Sequence, residues 1–264
     1  MKDKVAYRVI ADQRSQVFKL ARQWWSISLI VMPWSTISAQ TQNSQLWFEY
    51  MLNYPFANTF NIENAFVYST LLDSPRWYAF DYSPTLEYSL TQNIDFTLGG
   101  TFSYTAQTDD YNTFEIRPAI GTRIHITPNS RILLRAYIRV EQRYFLNLDT
   151  DEWEQTLRPR FRVESLIPIN KKNFFEDKLW YGIADVEWLF VVDDVEERFA
   201  NRFRARFGIG YRLSYSSRFE LIYMNQQSKS GIDENFSSSD NIVRLRFKHY
   251  LRKSKPTKMS GTGN

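Results

Sequence analysis

From residue 45 to residue 251 the chain alternates polar and apolar positions with a period of two. The stretch RILLRAYIRVEQRYF, residues 131–145, is the ambiguous case, because Arg131, Arg135, Arg139 and Arg143 also recur at every fourth position and on a helix would make one basic stripe. Taken two at a time, Arg131, Leu133, Arg135, Tyr137, Arg139, Glu141 and Arg143 fall on one side. Ile132, Leu134, Ala136, Ile138, Val140, Gln142 and Tyr144 fall on the other, as in a strand. The neighbouring segments decide. In TLRPRFRVES, Arg158, Arg160, Arg162 and Glu164 alternate with Leu157, Pro159, Phe161 and Val163; in RFRARFGIGYR, Arg202, Arg204 and Arg206 alternate with Phe203, Ala205 and Phe207. VRLRFKHY repeats the pattern with Arg244 and Arg246. Arginines two apart on a helix point about 200° from one another, so these segments cannot build one basic helical face. Pro118 and Pro159 would break helices as well.

Eleven alternating segments are expected, near 45–53, 60–71, 77–90, 94–106, 113–126, 131–146, 154–168, 178–190, 198–213, 218–228 and 241–251. Several are longer than the usual five or six residues of soluble strands and approach the span of a tilted membrane strand. TQN (91–93), TPNS (127–130) and SYSS (214–217) read as tight turns. QTDDYN (107–112), NLDTDEW (147–153), VDDVEE (192–197) and QSKSGIDENFSSSD (227–240) read as longer, mostly acidic loops. Only PINKKNFFED (168–177) is long where a short turn is due. Short turns on one side and longer polar loops on the other suit an outer-membrane barrel with its turns in the periplasm.

A soluble sandwich would put the apolar faces inside; a membrane barrel puts them outside, toward lipid. The density of charge favours the second arrangement. It makes Glu115, Arg117, Arg123, Arg131, Arg135, Arg139, Glu141 and Arg143 candidate lumen residues, together with Arg158, Arg160, Arg162, Glu164, Arg202, Arg204, Arg206, Arg244 and Arg246. Glu49, Glu63, Asp81, Glu87, Asp95, Asp185, Glu187 and Glu220 share the arginine parity of their strands. Arginine grips carboxylates bidentately, so the expected lining is a lattice of Arg and carboxylate pairs that either fills a narrow barrel or marks a path for small anionic solutes. Aromatic girdles are expected from Trp77, Tyr78 and Trp153 at the loop side and from Phe174, Phe175, Trp180, Tyr211, Tyr215 and Tyr250 at the turn side. Two features resist this picture. Eleven is odd, whereas single-chain bacterial barrels have even strand numbers, and Pro118 and Pro159 each remove a ladder hydrogen bond, where a bulge is expected.

Composition sharpens the class. Among 264 residues, aromatics reach 17% while charged residues make up 23% and mean hydropathy is −0.45, which suits one apolar and one charged face. The net charge of +4 is partly local, since LRKSKPTK at 251–258 carries cations and no acid. Elsewhere Arg is balanced by Asp and Glu, which argues against nucleic acid as a partner. Cysteine is absent, so disulfides and Cys-bound zinc are excluded. Upstream, Arg14, Lys19 and Arg22 precede an apolar run from Trp24 to Trp34 and then Ile37, Ser38 and Ala39, the order of a secretory signal cleaved after Ala39. That run is short of the roughly 20 residues needed to span a bilayer. An interfacial amphipathic anchor is the other reading of it.

Chemistry for catalysis is sparse. Only His125 and His249 could serve as imidazole bases, one on the inward and one on the outward parity. No nucleophile elbow, zinc-protease or phosphate-loop motif is present, so no enzyme, cofactor or metal is expected. QLWFEYMLNY with Trp47, then RPRFRVES, NRFRARFGIGYRL and the final VRLRFKHYL, resemble an uncharacterised, domain-of-unknown-function family of Gram-negative outer-membrane β-barrels over nearly all of residues 44–251. The resemblance implies fold and location and carries no activity. The basic tail after Leu251 departs from barrels that finish on a terminal aromatic.

The expectation is therefore a signal peptide at 1–39, an all-β domain at 40–251 and a basic, disordered periplasmic tail at 252–264. The domain is a single antiparallel transmembrane β-barrel of about 10–12 strands. Its partners are outer-membrane lipids, the barrel assembly machinery and a small anionic solute; the oligomeric state stays open. The alternatives are an exported soluble β protein that binds an anionic polymer through its arginine rows and, behind it, a lipid-modifying outer-membrane enzyme.

Overall fold

A computed structural model describes residues 41–56, 59–73, 77–107, 112–128, 130–190, 192, 202–228 and 238–251. The signal segment, the basic tail and most of the acidic loop residues lie outside the described residues. The strands are β1 (Thr41–Pro55), β2 (Phe60–Leu71), β3 (Tyr78–Ser89), β4 (Ile94–Ala106), β5 (Thr113–His125) and β6 (Leu133–Asn147), followed by β7 (Glu152–Pro168), β8 (Leu179–Leu189), β9 (Arg202–Arg212), β10 (Ser217–Ser228) and β11 (Ser238–Tyr250). Each coincides with a segment of strict alternation, and β-branched and aromatic residues on the outward parity favour the extended backbone.

Each strand pairs antiparallel with the next in sequence, and the wall closes between β1 and β11. That last pair is parallel, from Thr41↔Ser238 to Asn53↔Tyr250. The antiparallel barrel expected from the sequence is present with eleven strands, and only this closing pair departs from it, for a simple reason. In an up-and-down wall with an odd number of strands, the first and last run the same way, so closure has to be parallel. Parallel pairs are slightly weaker per residue, which puts a premium on side-chain links across this seam.

Pro118 and Pro159 lie in continuous register, without the expected bulges. Along β5 and β6 the pairing passes from Ile116↔Tyr144 to Ala119↔Glu141, so rungs are missing but no residue is inserted. The Pro159 carbonyl accepts from Phe190 N at 2.9 Å, just past the last β7–β8 pair at Arg160↔Leu189. Its absent N–H therefore falls where the ladder has already ended. The connection read as 147–153 contracts to residues 148–151. There Asn147 Oδ1 accepts from Asp149 N at 2.9 Å and Asp151 takes a left-handed φ of 58°.

The burial pattern is the reverse of a soluble domain. Leu98, Ile120 and Phe207 are 60%, 62% and 58% exposed on the outer face, while Glu141, Glu187 and Arg206 are almost wholly buried inside. The interior also contains one apolar cluster, formed by Leu166, Phe174, Leu179, Tyr181, Ile183 and Ile222, with Leu133 packed against it.

Candidate functional site

The interior charges form a connected lattice because inward residues on adjacent strands stand opposite one another in register. At Glu141↔Arg158 and Glu164↔Arg135 the carboxylate and guanidinium are direct cross-strand partners. Glu141 Oε2 accepts from Arg158 Nε at 2.8 Å and Nη2 at 2.5 Å, and its Oε1 from Arg160 Nη1 at 2.6 Å. Arg139 Nε lies 3.0 Å from the same carboxylate. Arg160 also reaches Glu187, which takes Arg206 Nη2 at 2.6 Å and has Arg204 Nη1 at 3.6 Å. Asp185 has Arg206 Nε at 2.7 Å and Arg162 Nε at 3.6 Å. Glu164 then binds both Arg135 and Arg162. The chain of pairs thus runs unbroken across β6, β7, β8 and β9.

Glu115 is gripped twice. Arg117 Nε and Arg143 Nε donate to its Oε1 at 2.7 and 2.6 Å, and the Nη2 groups of both donate to Oε2. Arg123 pairs with Glu87. At the closing seam, Glu49 of β1 takes Arg246 Nε at 2.6 Å and Arg244 Nη1 at 3.2 Å from β11, and Arg246 continues to Glu220 at 2.9 Å. These bonds link three strands across the parallel joint, and each charged cross-strand pair contributes roughly 0.2–1 kcal/mol. Arg244 also lies over the Trp47 ring at 4.5 Å.

A cavity of about 740 Å³ runs beside this lattice. Its lining extends from Trp77, Gln107 and Thr113 at the mouth bearing the longer loops to Asn53, Asn61 and Tyr250 at the mouth bearing the tight turns. One wall is short and hydroxylated, with Ser69, Ser83, Thr85, Thr101, Ser103 and Thr105 on β2, β3 and β4. The other presents Glu115, Arg117, Arg123, Arg135, Arg139 and Arg143, then Arg158, Arg160, Arg162 and Glu164, then Arg202, Arg204, Arg206, Arg244 and Arg246. Glu141 lies behind that surface, fully buried among its three arginines. Arg131 is the exception: it sits in the turn before β6, is exposed, and donates to the Pro168 carbonyl at 3.4 Å. Its parity holds, but the strand begins two residues later, so it marks the rim.

A Trp-led first strand and Arg-alternating strands close into one barrel. The chain belongs to the family described as Protein of unknown function (DUF2490). The family model matches residues 44–237, from within β1 to the residue before β11. No curated protein matches the chain.

Two interior aromatics, Tyr181 and Phe174, have no charge to flag them in the sequence. The Tyr181 ring lies over Gly210, and its hydroxyl donates to Glu220 Oε1 at 2.6 Å. Residues 169–178, the anomalously long turn, fold back into the turn-side mouth. Phe174 enters the apolar cluster, with its carbonyl accepting from Arg212 Nη1 at 3.2 Å and its ring 5.5 Å from the Arg218 guanidinium. The girdle expected from the sequence is therefore corrected: Phe174 is buried inside, and Trp77 and Tyr250 line the cavity. Tyr78, Trp153, Phe175 and Trp180 do face outward. Aromatics at strand ends obey the same parity as the rest of the strand, which puts Trp77 and Tyr250 on the inner side, whereas Phe174 is carried inward by its loop.

His125 Nε2 lies 2.6 Å from Asp95 Oδ2 inside the barrel, while the exposed His249 meets Tyr50 Oη at 3.1 Å outside. Among the described residues no group of three His, Asp or Glu side chains is arranged to hold a metal ion.

Proposed function

We propose that the protein is an outer-membrane β-barrel whose lumen is a narrow, anion-preferring passage for small solutes, and that it is not an enzyme. The observation that carries this reading is the cavity bordered by residues of both mouths, with guanidinium groups along one wall. Arginines outnumber the carboxylates that share them: Glu141 serves three and Glu115 two. The surplus favours anions along the arginine wall. Spread over a band ~25 Å tall, the cavity averages roughly 30 Å² in section, enough for a file of water or a small solute.

Membrane insertion is supported by the exposed apolar face. Monomeric soluble proteins rarely expose contiguous apolar patches beyond a few hundred Å². Here Phe48, Phe80, Phe96, Phe102, Phe219 and Leu245 are exposed on strands all along one arc of the wall. Lipids and the assembly machinery of the outer membrane are the partners this implies. The test is twofold. The protein should need detergent and show heat-modifiable gel migration, and in planar bilayers under a salt gradient its current should reverse toward the chloride potential. A monodisperse protein in plain buffer would refute the membrane reading, and a silent bilayer would refute the passage.

The inserted loop at residues 169–178 favours a second reading, a filled barrel that only stiffens the membrane. The silent-bilayer outcome would select it.

A further inference from the structure

We propose that the lumen selects dipolar solutes, small molecules with an ammonium and a carboxylate on one short skeleton, and orients them between two unlike walls. The proposal rests on the passage read above and names what uses it.

Among the described residues nearly every interior carboxylate is held by a cation or a hydroxyl donor, with two exceptions that border the cavity. Glu63 on β2 and Asp81 on β3 point into it and make no hydrogen bond or ion pair with a described residue. In a closed wall of eleven strands in sequence order, β2 and β3 stand diametrically opposite β7 and β8. β7 is the strand that presents Arg158, Arg160 and Arg162 in succession. Carboxylates without a contact partner, acted on only at longer range by Arg123, Lys248 and Arg117, therefore stand across the open space from a row of arginines. Ser83 and Thr101 bond each other at 2.8 Å and keep the carboxylate wall short, so that the space lies on that side.

A field directed across the axis does nothing for a neutral molecule beyond weak dipole alignment. A simple anion gains from the arginines and loses to Glu63 and Asp81. A zwitterion satisfies both walls at once, and its desolvation is offset at each end.

The experiment uses the full barrel in proteoliposomes and compares swelling in alanine with swelling in lactamide, its uncharged isomer, with protein-free liposomes subtracted. Alanine should enter faster by roughly tenfold, the low end for a charge-lined cleft. The double variant Glu63→Gln, Asp81→Asn keeps side-chain size and should bring the ratio close to unity while the chloride preference persists. A ratio near unity in the wild type, or one unchanged in the variant, with chloride selectivity intact, overturns the proposal and leaves the passage standing. Absence of both current and solute entry overturns the two together. Should the double variant fail to fold, the wild-type ratio alone still decides.

Discussion

A β-carbon at Gly210 would lie within 2.6 Å of the Tyr181 hydroxyl and closer still to its ring. Gly210→Ala is therefore expected to push Tyr181 off Glu220 and to destabilise the barrel by about 1–3 kcal/mol, the usual cost of overpacking. The loss should appear as a lower temperature for the shift in gel mobility, and Tyr181→Phe should add little in that background. Glu141 tests the charged lattice. It is fully buried and is the carboxylate that both Arg158 nitrogens engage. Glu141→Gln leaves Arg158 a neutral partner and is expected to cost about 3–5 kcal/mol by thermal or denaturant unfolding in detergent. Adding Arg158→Leu should restore part of that, because one of the two arginines left with a neutral partner is then gone while Arg139 remains. At this scale parity was the legible signal: Arg139, Glu141 and Arg158 could be placed inside from alternation alone. Tyr181 and Gly210 share the inward parity of their strands as well, but their contact was not legible, since an aromatic over a glycine depends on which strands become neighbours.

Among the elements, residues 169–178 are the part with a separable role. Phe174 is held by the cluster of Leu166, Leu179, Tyr181, Ile183 and Ile222 and by Arg212, while the backbone ladder of the wall does not pass through it. Phe174→Ala should thus free the loop from the mouth and leave the barrel folded. The expected result is a larger single-channel current at unchanged heat-modifiability; an unchanged current would mean that the loop does not obstruct the path. The strands themselves were readable to within a few residues, because each sustains its alternation for nine positions or more and the turns carry Ser, Thr, Asn and Pro. The loop announced itself only by its length, and nothing local in PINKKNFFED says that Phe174 turns inward while Phe175 is 69% exposed. The prolines misled for a related reason. The β7–β8 pairing has ended by Pro159, while Pro118 loses rungs to the middle of β6 without an inserted residue.

For the whole molecule, an outer surface of Phe, Leu and Ile around a core of Arg and Glu reverses the ordinary distribution, and mean hydropathy could not reveal it because the two faces cancel in the average of −0.45. The parallel joint between β1 and β11 has a consequence for sidedness. β1 starts at the mouth with the longer loops, and β11 finishes at the mouth with the tight turns. A barrel with an even wall returns its chain to the side it came from; this one delivers it to the opposite side. Epitope tags placed immediately before β1 and immediately after β11 should consequently differ in protease access in sealed vesicles, one cut from outside and the other protected. Cleavage of both, or protection of both, would mean that the wall in the membrane has a different number of strands. In the membrane proposed for it, the barrel would be a vectorial crossing, able to display a segment fused to its amino end on one surface while tethering a segment fused to its carboxyl end at the other.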